Sequence, residues 1–287
     1  MIYDMSGTNL LRAYKPDGDV LNFAYDYDGN LIYQSQYATY TITNLYGQAA
    51  SSQGFDVYEN ILAQWNGSGH TLGLRNVNSG GYIVREIPTD ITSHGNDISF
   101  FPYKYDSGDT LPLLLVDNIC LRFYQVNGSW VSSVIKTYKF QYNTYGSGFN
   151  GNTLITISYT SNTYTYSESN KLVIQTWDMT NLTENQDGTF TPEMLTSVTR
   201  PWLECVQGAS YHDGYFWIAS GLGNAIPSHV YALNIRTGNV ELDVNLQANG
   251  ELEGQAWAYN EIDGWYALTA QLGGYGYRKI TFAPAST

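Results

Sequence analysis

Asp97 and Glu253 each lie within or beside a recurring polar pattern: Gln53-Gly54, His94-Gly95-Asn96-Asp97, Gln207-Gly208 and Glu253-Gly254-Gln255. Two carboxylates facing each other across a cleft at about 5 to 10 Å can hydrolyse a glycosidic bond, one as acid and the other as base or nucleophile. Amides and an imidazole can instead hold water, a cation or sugar hydroxyls. Gln53, His94, Asn96, Asp97, Gln207 and Gln255 therefore form a candidate ligand-binding set, with Asp97 and Glu253 as the alternative catalytic pair. Glu204 is a further carboxylate that such a site can use, whereas Asp213 belongs to a His-Asp-Gly hairpin turn. Asp56 and Glu59 read as solvated residues ahead of a strand. His94 has no HxxxH or HxH partner, so no metal site is expected. The chain contains no GxSxG, P-loop or HExxH motif.

These residues are positioned by repeating units. The stretch from Gln207 to Leu246 contains four short apolar or alternating runs separated by turns at Asp213-Gly214, Gly221 to Pro227 and Thr237-Gly238. That pattern predicts a four-stranded antiparallel meander, which buries too little apolar surface to stand alone. Gln53-Gly54-Phe55 and His70 to Val84 repeat it, as do His94 to Thr137, Asn152 to Trp177 with a hairpin near Asp187-Gly188, and Glu253 to Phe282. Unit starts near 53, 94, 150, 207 and 255 give a period of roughly forty to sixty residues, the range of propeller blades. The expected fold is all-β: a five-bladed β-propeller of four-stranded antiparallel blades over residues 36–287. The first strand of each blade should line a central channel where the polar set collects.

Residues 1–35 are a different object. Gly7, Gly18 and Gly29 recur at a spacing of eleven, each followed by an aliphatic residue at Leu10, Leu21 and Ile32, with turns between strand-length runs. Such strands make no core of their own and must pair with the propeller, with a copy of themselves, or with another chain. They read as an anchor or linker and as a route to homo-oligomers.

Twenty-six Tyr and 28 Gly favour strands and tight turns, and no amphipathic helix is visible. A net charge of −13, with 13 Lys plus Arg, argues against binding nucleic acid or an anionic membrane through charge. No apolar run reaches membrane-spanning length, and Met1-Ile-Tyr-Asp does not begin a signal peptide. Cys120 and Cys205 fall in apolar runs and read as buried thiols.

Aromatic residues make up 15% of the chain, and several cluster in sequences that read as loops: Tyr103 and Tyr105, Tyr142 to Phe149, Tyr159 to Tyr166, and Tyr275. Exposed rings of this kind stack on sugars and anchor interfaces, so Tyr103, Tyr105 and Tyr275 join the ligand-binding candidates. Trp65, Trp177, Trp217, Trp257 and Trp265 lie inside strand runs and are assigned to the layers between blades.

The segment AYKPDGDVLNFAYDYDGNLIY resembles parts of tail-associated proteins of phages and prophages of gut bacteria that link a stalk to a terminal domain. His94 to Asp117, HGNDISFFPYKYDSGDTLPLLLVD, resembles small β-propeller proteins of the same bacteria and phages. The resemblance implies an architecture and a setting, not a catalytic mechanism. It points to a non-enzymatic structural or adhesin module on a virion, outside the cell, whose propeller binds another virion protein or a host-surface glycan. A glycan-degrading hydrolase at the channel mouth is the alternative. No cofactor is expected beyond a channel cation such as calcium.

Overall fold

The computed structural model describes residues 2–3, 10–14, 20–25, 31–36, 40–46, 53–159, 171–202, 205–222, 226–246, 250–271 and 276–282. Among them there is no helix; every regular element is a strand.

Ile2–Tyr3 (β1), Leu10–Tyr14 (β2), Val20–Tyr25 (β3) and Leu31–Gln36 (β4) form one antiparallel sheet in chain order. The eleven-residue repeats thus satisfy one another's backbone groups: Asn22 of β3 faces Arg12 of β2 and Ser35 of β4. Next comes Tyr40–Tyr46 (β5). Phe55–Tyr58 (β6), Ile61–Asn66 (β7), Thr71–Asn76 (β8) and Tyr82–Pro88 (β9) make a second sheet. Ile98–Phe100 (β10), Leu114–Val116 (β11), Ile119–Val126 (β12) and Ser129–Thr137 (β13) make a third.

Thr144–Asn150 (β14), Thr153–Tyr159 (β15), Lys171–Glu184 (β16) and Phe190–Pro201 (β17) follow, then Gly208–His212 (β18), Tyr215–Leu222 (β19), Ile226–Asn234 (β20) and Val240–Asn245 (β21). These belong to one eight-stranded sheet in the order β17-β16-β15-β14-β18-β19-β20-β21, joined in the middle by a single parallel bridge, Ser147 to Ser210. Leu252–Asn260 (β22), Gly264–Gln271 (β23) and Gly276–Phe282 (β24) take β5 as their fourth strand, with Ile280 opposite Ile42. A strand from before the first meander therefore completes the last sheet, a pairing with no signal in the local sequence.

The first strands β6, β10, β14, β18 and β22 lie side by side in a closed cycle. Gly54 N–H donates to Gly95 O at 2.6 Å, Ser99 and Ser147 hydroxyls meet at 2.7 Å, and Gly254 N–H donates to Gln207 O at 3.2 Å. Apolar layers fill the spaces between successive sheets. On β19, Phe216 and Ile218 enter the layer shared with β14–β17, while Trp217 and Ala219 enter the layer shared with β22–β24 and β5. Alternation along a strand sends neighbours to opposite faces, and here both faces are buried, so the strand reads as continuously apolar. Ala256, Tyr266, Leu268 and Tyr277 close the cycle against Phe55 and Leu62.

Turn chemistry follows the sequence. Asp213-Gly214 and Asn127-Gly128 carry positive φ at both positions (48° and 84°; 51° and 80°), the type I′ geometry that matches strand twist. Two expectations are corrected. Tyr142 to Phe149 is not an aromatic loop: its residues from Thr144 onward are the first strand of their unit, which begins at 144 rather than near 150. Gly146 and Gly148 make this possible, because a Cβ at either would lie 2.4 Å from Ala209 Cβ or 2.5 Å from Tyr211 Cβ on the adjacent strand. Trp265, assigned to an inter-blade layer, is 55% exposed.

Candidate functional site

The loop from Ser93 to Asp97 leads into β10 and is shaped by one carboxylate, Asp117. Its Oδ2 accepts from the Ser93 hydroxyl and from Gly95 N–H at 2.9 Å, and its Oδ1 accepts from Asp97 N–H at 3.2 Å. Asp117 N–H returns a bond to Asp97 O at 2.7 Å. Asp117 can do this because it occupies the tight turn between β11 and β12 with φ 52°, which aims its side chain back at the loop.

This loop forms one wall of a cleft of about 500 Å³. His94 and Asn96 line it, with Asp117 and Asn118 from the β11–β12 turn, Tyr138, Lys139, Tyr142 and Asn143 from the segment before β14, Thr144 and Tyr145 from its start, and Asp187 and Thr189 from the β16–β17 hairpin. Several of these groups are occupied. Asn118 Nδ2 donates to Tyr138 O at 2.9 Å, Thr144 Oγ1 donates to Asp117 O at 3.2 Å, and Tyr145 packs edge-on against Tyr159 at 6.4 Å. His94, Lys139, Tyr142 and Asn143 are exposed and Asn96 is half-buried. The wall thus offers amides, an imidazole, an ammonium and a phenol.

Asp97 turns inward beneath this wall and is 1% exposed. Ser147 Oγ donates to its Oδ1 at 2.7 Å, while Oδ2 has no hydrogen-bond partner within the protein. Burial, reinforced by the charges of Asp117 and Asp56, pushes the Asp97 carboxyl up to about 8. Burial likewise raises Asp56 to about 7, although Phe100 N–H donates to it at 2.8 Å. Glu253 is 6% exposed, and burial together with the Glu251 charge raises it to about 8. Neither Asp97 nor Glu253 lines the cleft.

The expected polar set is split. His94 and Asn96 share the cleft, and Gln53 adjoins them: an added Cβ at Gly67 would lie 2.8 Å from Gln53 Cγ and 2.7 Å from His94 O. Gln207 and Gln255 are buried elsewhere; Gln207 Nε2 donates to Glu251 Oε1 at 3.1 Å and Gln255 Nε2 to Ala256 O at 3.3 Å. Asp56, read as solvated, is desolvated and bonded to the next first strand. Tyr103 and Tyr105 are 44% and 56% exposed, but on the β10–β11 loop outside the cleft, where the Arg122 guanidinium lies 4.7 Å from the Tyr105 ring. Tyr275 and Glu204 lie outside the described residues. Asp117, Asn118, Tyr142 and Asn143 were not among the expected site residues. Asp117-Asn118 carried only a turn signal, and Tyr142 was visible only as part of an aromatic cluster.

Among the described residues, no group of three or more His, Cys, Asp or Glu side chains is placed to hold a metal ion. No family model and no curated protein matches the sequence. Solved structures do match in fold. Glutaminyl cyclase from Myxococcus xanthus aligns with a TM-score of 0.50 at 13% identity, over 85% of this chain and 97% of that one. The WD40 domain of Toxoplasma gondii coronin aligns with a TM-score of 0.46 at 10% identity, over 88% of each chain. The β-propeller domain of Cps50 from Myceliophteria thermophila gives 0.43 at 10% identity, over 95% and 92%. At these identities the likeness is one of fold alone and is carried by the first of these alignments; the chain itself is built of antiparallel sheets.

Proposed function

We propose that the chain is a non-enzymatic binding module, a five-bladed propeller whose cleft beside His94 and Asn96 takes a host-surface glycan. In this reading the eight-stranded sheet is two blades meeting at the Ser147–Ser210 bridge, and β5 closes the ring. Residues 1–35 serve as the anchor to a phage or phage-like particle, with the propeller acting outside the cell, as the resemblance of both segments implies.

The observation that carries the reading is the allocation of groups at the cleft. Of its two carboxylates, Asp117 is spent on holding the loop and Asp187 accepts from the N–H and hydroxyl of Thr189 in the β16–β17 hairpin, while exposed Asn143 and Tyr142, half-buried Asn96 and exposed His94 face solvent. Amides match sugar hydroxyls as both donors and acceptors, and a phenol ring supplies a flat apolar face. Hydrolysis needs two carboxyls at the ligand; the candidate pair Asp97 and Glu253 is buried away from this cleft, and Asp117 and Asp187, which do line it, are engaged in holding their own turns, so the hydrolytic alternative draws no support here.

The test is a glycan array probed with the full chain and with Tyr142→Ala and Asn143→Ala variants. Binding to bacterial surface glycans that falls at least tenfold in both variants supports the reading. Silence across the array, or release of reducing sugar, overturns it.

A further inference from the structure

A second surface stands at the opposite ends of two first strands. His212 ends β18, and its imidazole stacks on Trp257 of β22 at 4.2 Å with the rings 12° apart. The ring of Trp265, the second residue of β23, lies 4.7 Å from that of His212 with a tilt of 47°, and Tyr259 lies 5.5 Å from Trp265. Trp265 is 55% exposed, Tyr259 50% and Ile262 93%.

The fold does not require that exposure. Tyr215, at the start of β19 in the preceding unit, sends its hydroxyl to Glu241 at 2.7 Å and is half-buried. The turn that carries the exposed rings is also held in place. Asn260 Oδ1 accepts from Ile262 N–H at 2.9 Å and Asp263 N–H at 2.7 Å, and Asn260 Nδ2 donates to Asp263 Oδ2 at 2.9 Å. Lys279 pairs with Asp263 and lies 4.7 Å from the Tyr266 ring centre. A rigid aromatic surface loses little conformational freedom on binding.

We infer that Tyr259, Trp265 and the His212–Trp257 stack form a platform for the flat face of a neutral sugar ring. The charges nearby select that chemistry. Asp213 and Glu261 are exposed carboxylates beside the rings in sequence and accept hydrogen bonds from hydroxyls, but repel phosphate, sulfate and uronate groups. The adjacent ammonium of Lys279 is already matched by Asp263. The platform shares the glycan as ligand class with the proposed function but none of its residues, so the two sites together would make the module bivalent.

The experiment is a titration of the full chain, followed by tryptophan fluorescence and calorimetry, with neutral cello-, manno-, xylo- and galacto-oligosaccharides. Polygalacturonate and a lysine oligomer are the charged controls. Saturable binding to a neutral oligosaccharide is expected to fall at least tenfold in Trp265→Ala and Tyr259→Ala, to survive in Trp265→Tyr, and to be unchanged in Val126→Ala, an exposed position at the end of β12 in another sheet. Both alanine sites are exposed, and unchanged melting curves would show that the variants fold. No saturable neutral-sugar binding, binding confined to the polyanion or the lysine oligomer, or binding that survives both alanine variants each overturns the inference; the last leaves the sugar to the cleft.

Discussion

The hydroxyl of Ser147 on β14 donates to Oδ1 of Asp97 across 2.7 Å, tying the first strand of one sheet to the loop that opens the preceding one. The carboxyl it meets is buried, and burial raises it to about 8. With Glu253 also raised to about 8 and Asp56 to about 7, folding takes up protons wherever the unfolded carboxyls, near 4, are already ionised. Stability is therefore full below about pH 4 for these groups and is lost as pH rises toward 8, by at most about 1.4 kcal/mol per pH unit for each proton taken up. Asp97→Asn keeps an acceptor for Ser147 and removes the ionisation. Thermal melts from pH 5 to 8.5 should show a shallower decline than the parent chain, with the largest gain at the alkaline end.

Asp109 and Asp263 act in the other direction. The Arg122 guanidinium bonded to Asp109, and Lys279 with Asn260 at Asp263, hold these carboxyls below their ordinary range. Their contribution is present above pH 4 and is lost on further acidification, and it is modest because one partner of each pair, Arg122 and Asp263, stays partly open to water. Asp109→Asn should leave melting at pH 8 lowered by a few degrees at most and remove part of the loss seen between pH 4 and pH 3.

Gly95 is irreplaceable for a steric reason. Its φ is 73°, and a Cβ there would stand 2.0 Å from Cδ1 of the buried Trp65 indole. Gly128 has a similar φ of 80° with nothing within 4 Å of its added Cβ. Urea denaturation should show Gly128→Ala costing about 1 kcal/mol and Gly95→Ala about 3 kcal/mol or more, the difference measuring the clash.

Closure by β5 makes a truncation prediction. Deleting residues 1–36 removes strands that pair with one another and reach the later sheets where β3 lies against the edge strand β21, whereas deleting 1–46 also strips β24 of its partner and uncovers fully buried Ile280 and Tyr277. The first deletion should retain a cooperative melt close to that of the full chain; the second should lower the midpoint by ten degrees or more, with faster proteolysis.

Cys120 is 1% exposed, and burial pushes its thiol up to about 12. It should resist a thiol reagent in the native state over hours at pH 8 and react at once in denaturant.

The meanders were legible because two local codes agreed: apolar runs of strand length, and turn residues such as Asp213-Gly214 that adopt positive φ readily. The site was half legible. His94, Asn96 and Asp97 stood out by type, yet alternation sends Asp97 inward and leaves Asn96 on the cleft wall, and Asp117 comes from a turn twenty residues away. Trp265 was read as a core residue from its strand context, but only its position beside the β22–β23 turn exposes it.

By itself, then, the sequence determined an all-β chain built of repeating meanders, because period-two hydrophobicity and turn propensity act between near neighbours. The tertiary structure alone decided which strand closes the last sheet, which carboxyls are desolvated and which rings face solvent. Each of those depends on contacts between residues far apart in the chain, such as Ile42 with Ile280 and Ser147 with Asp97, that no local pattern encodes.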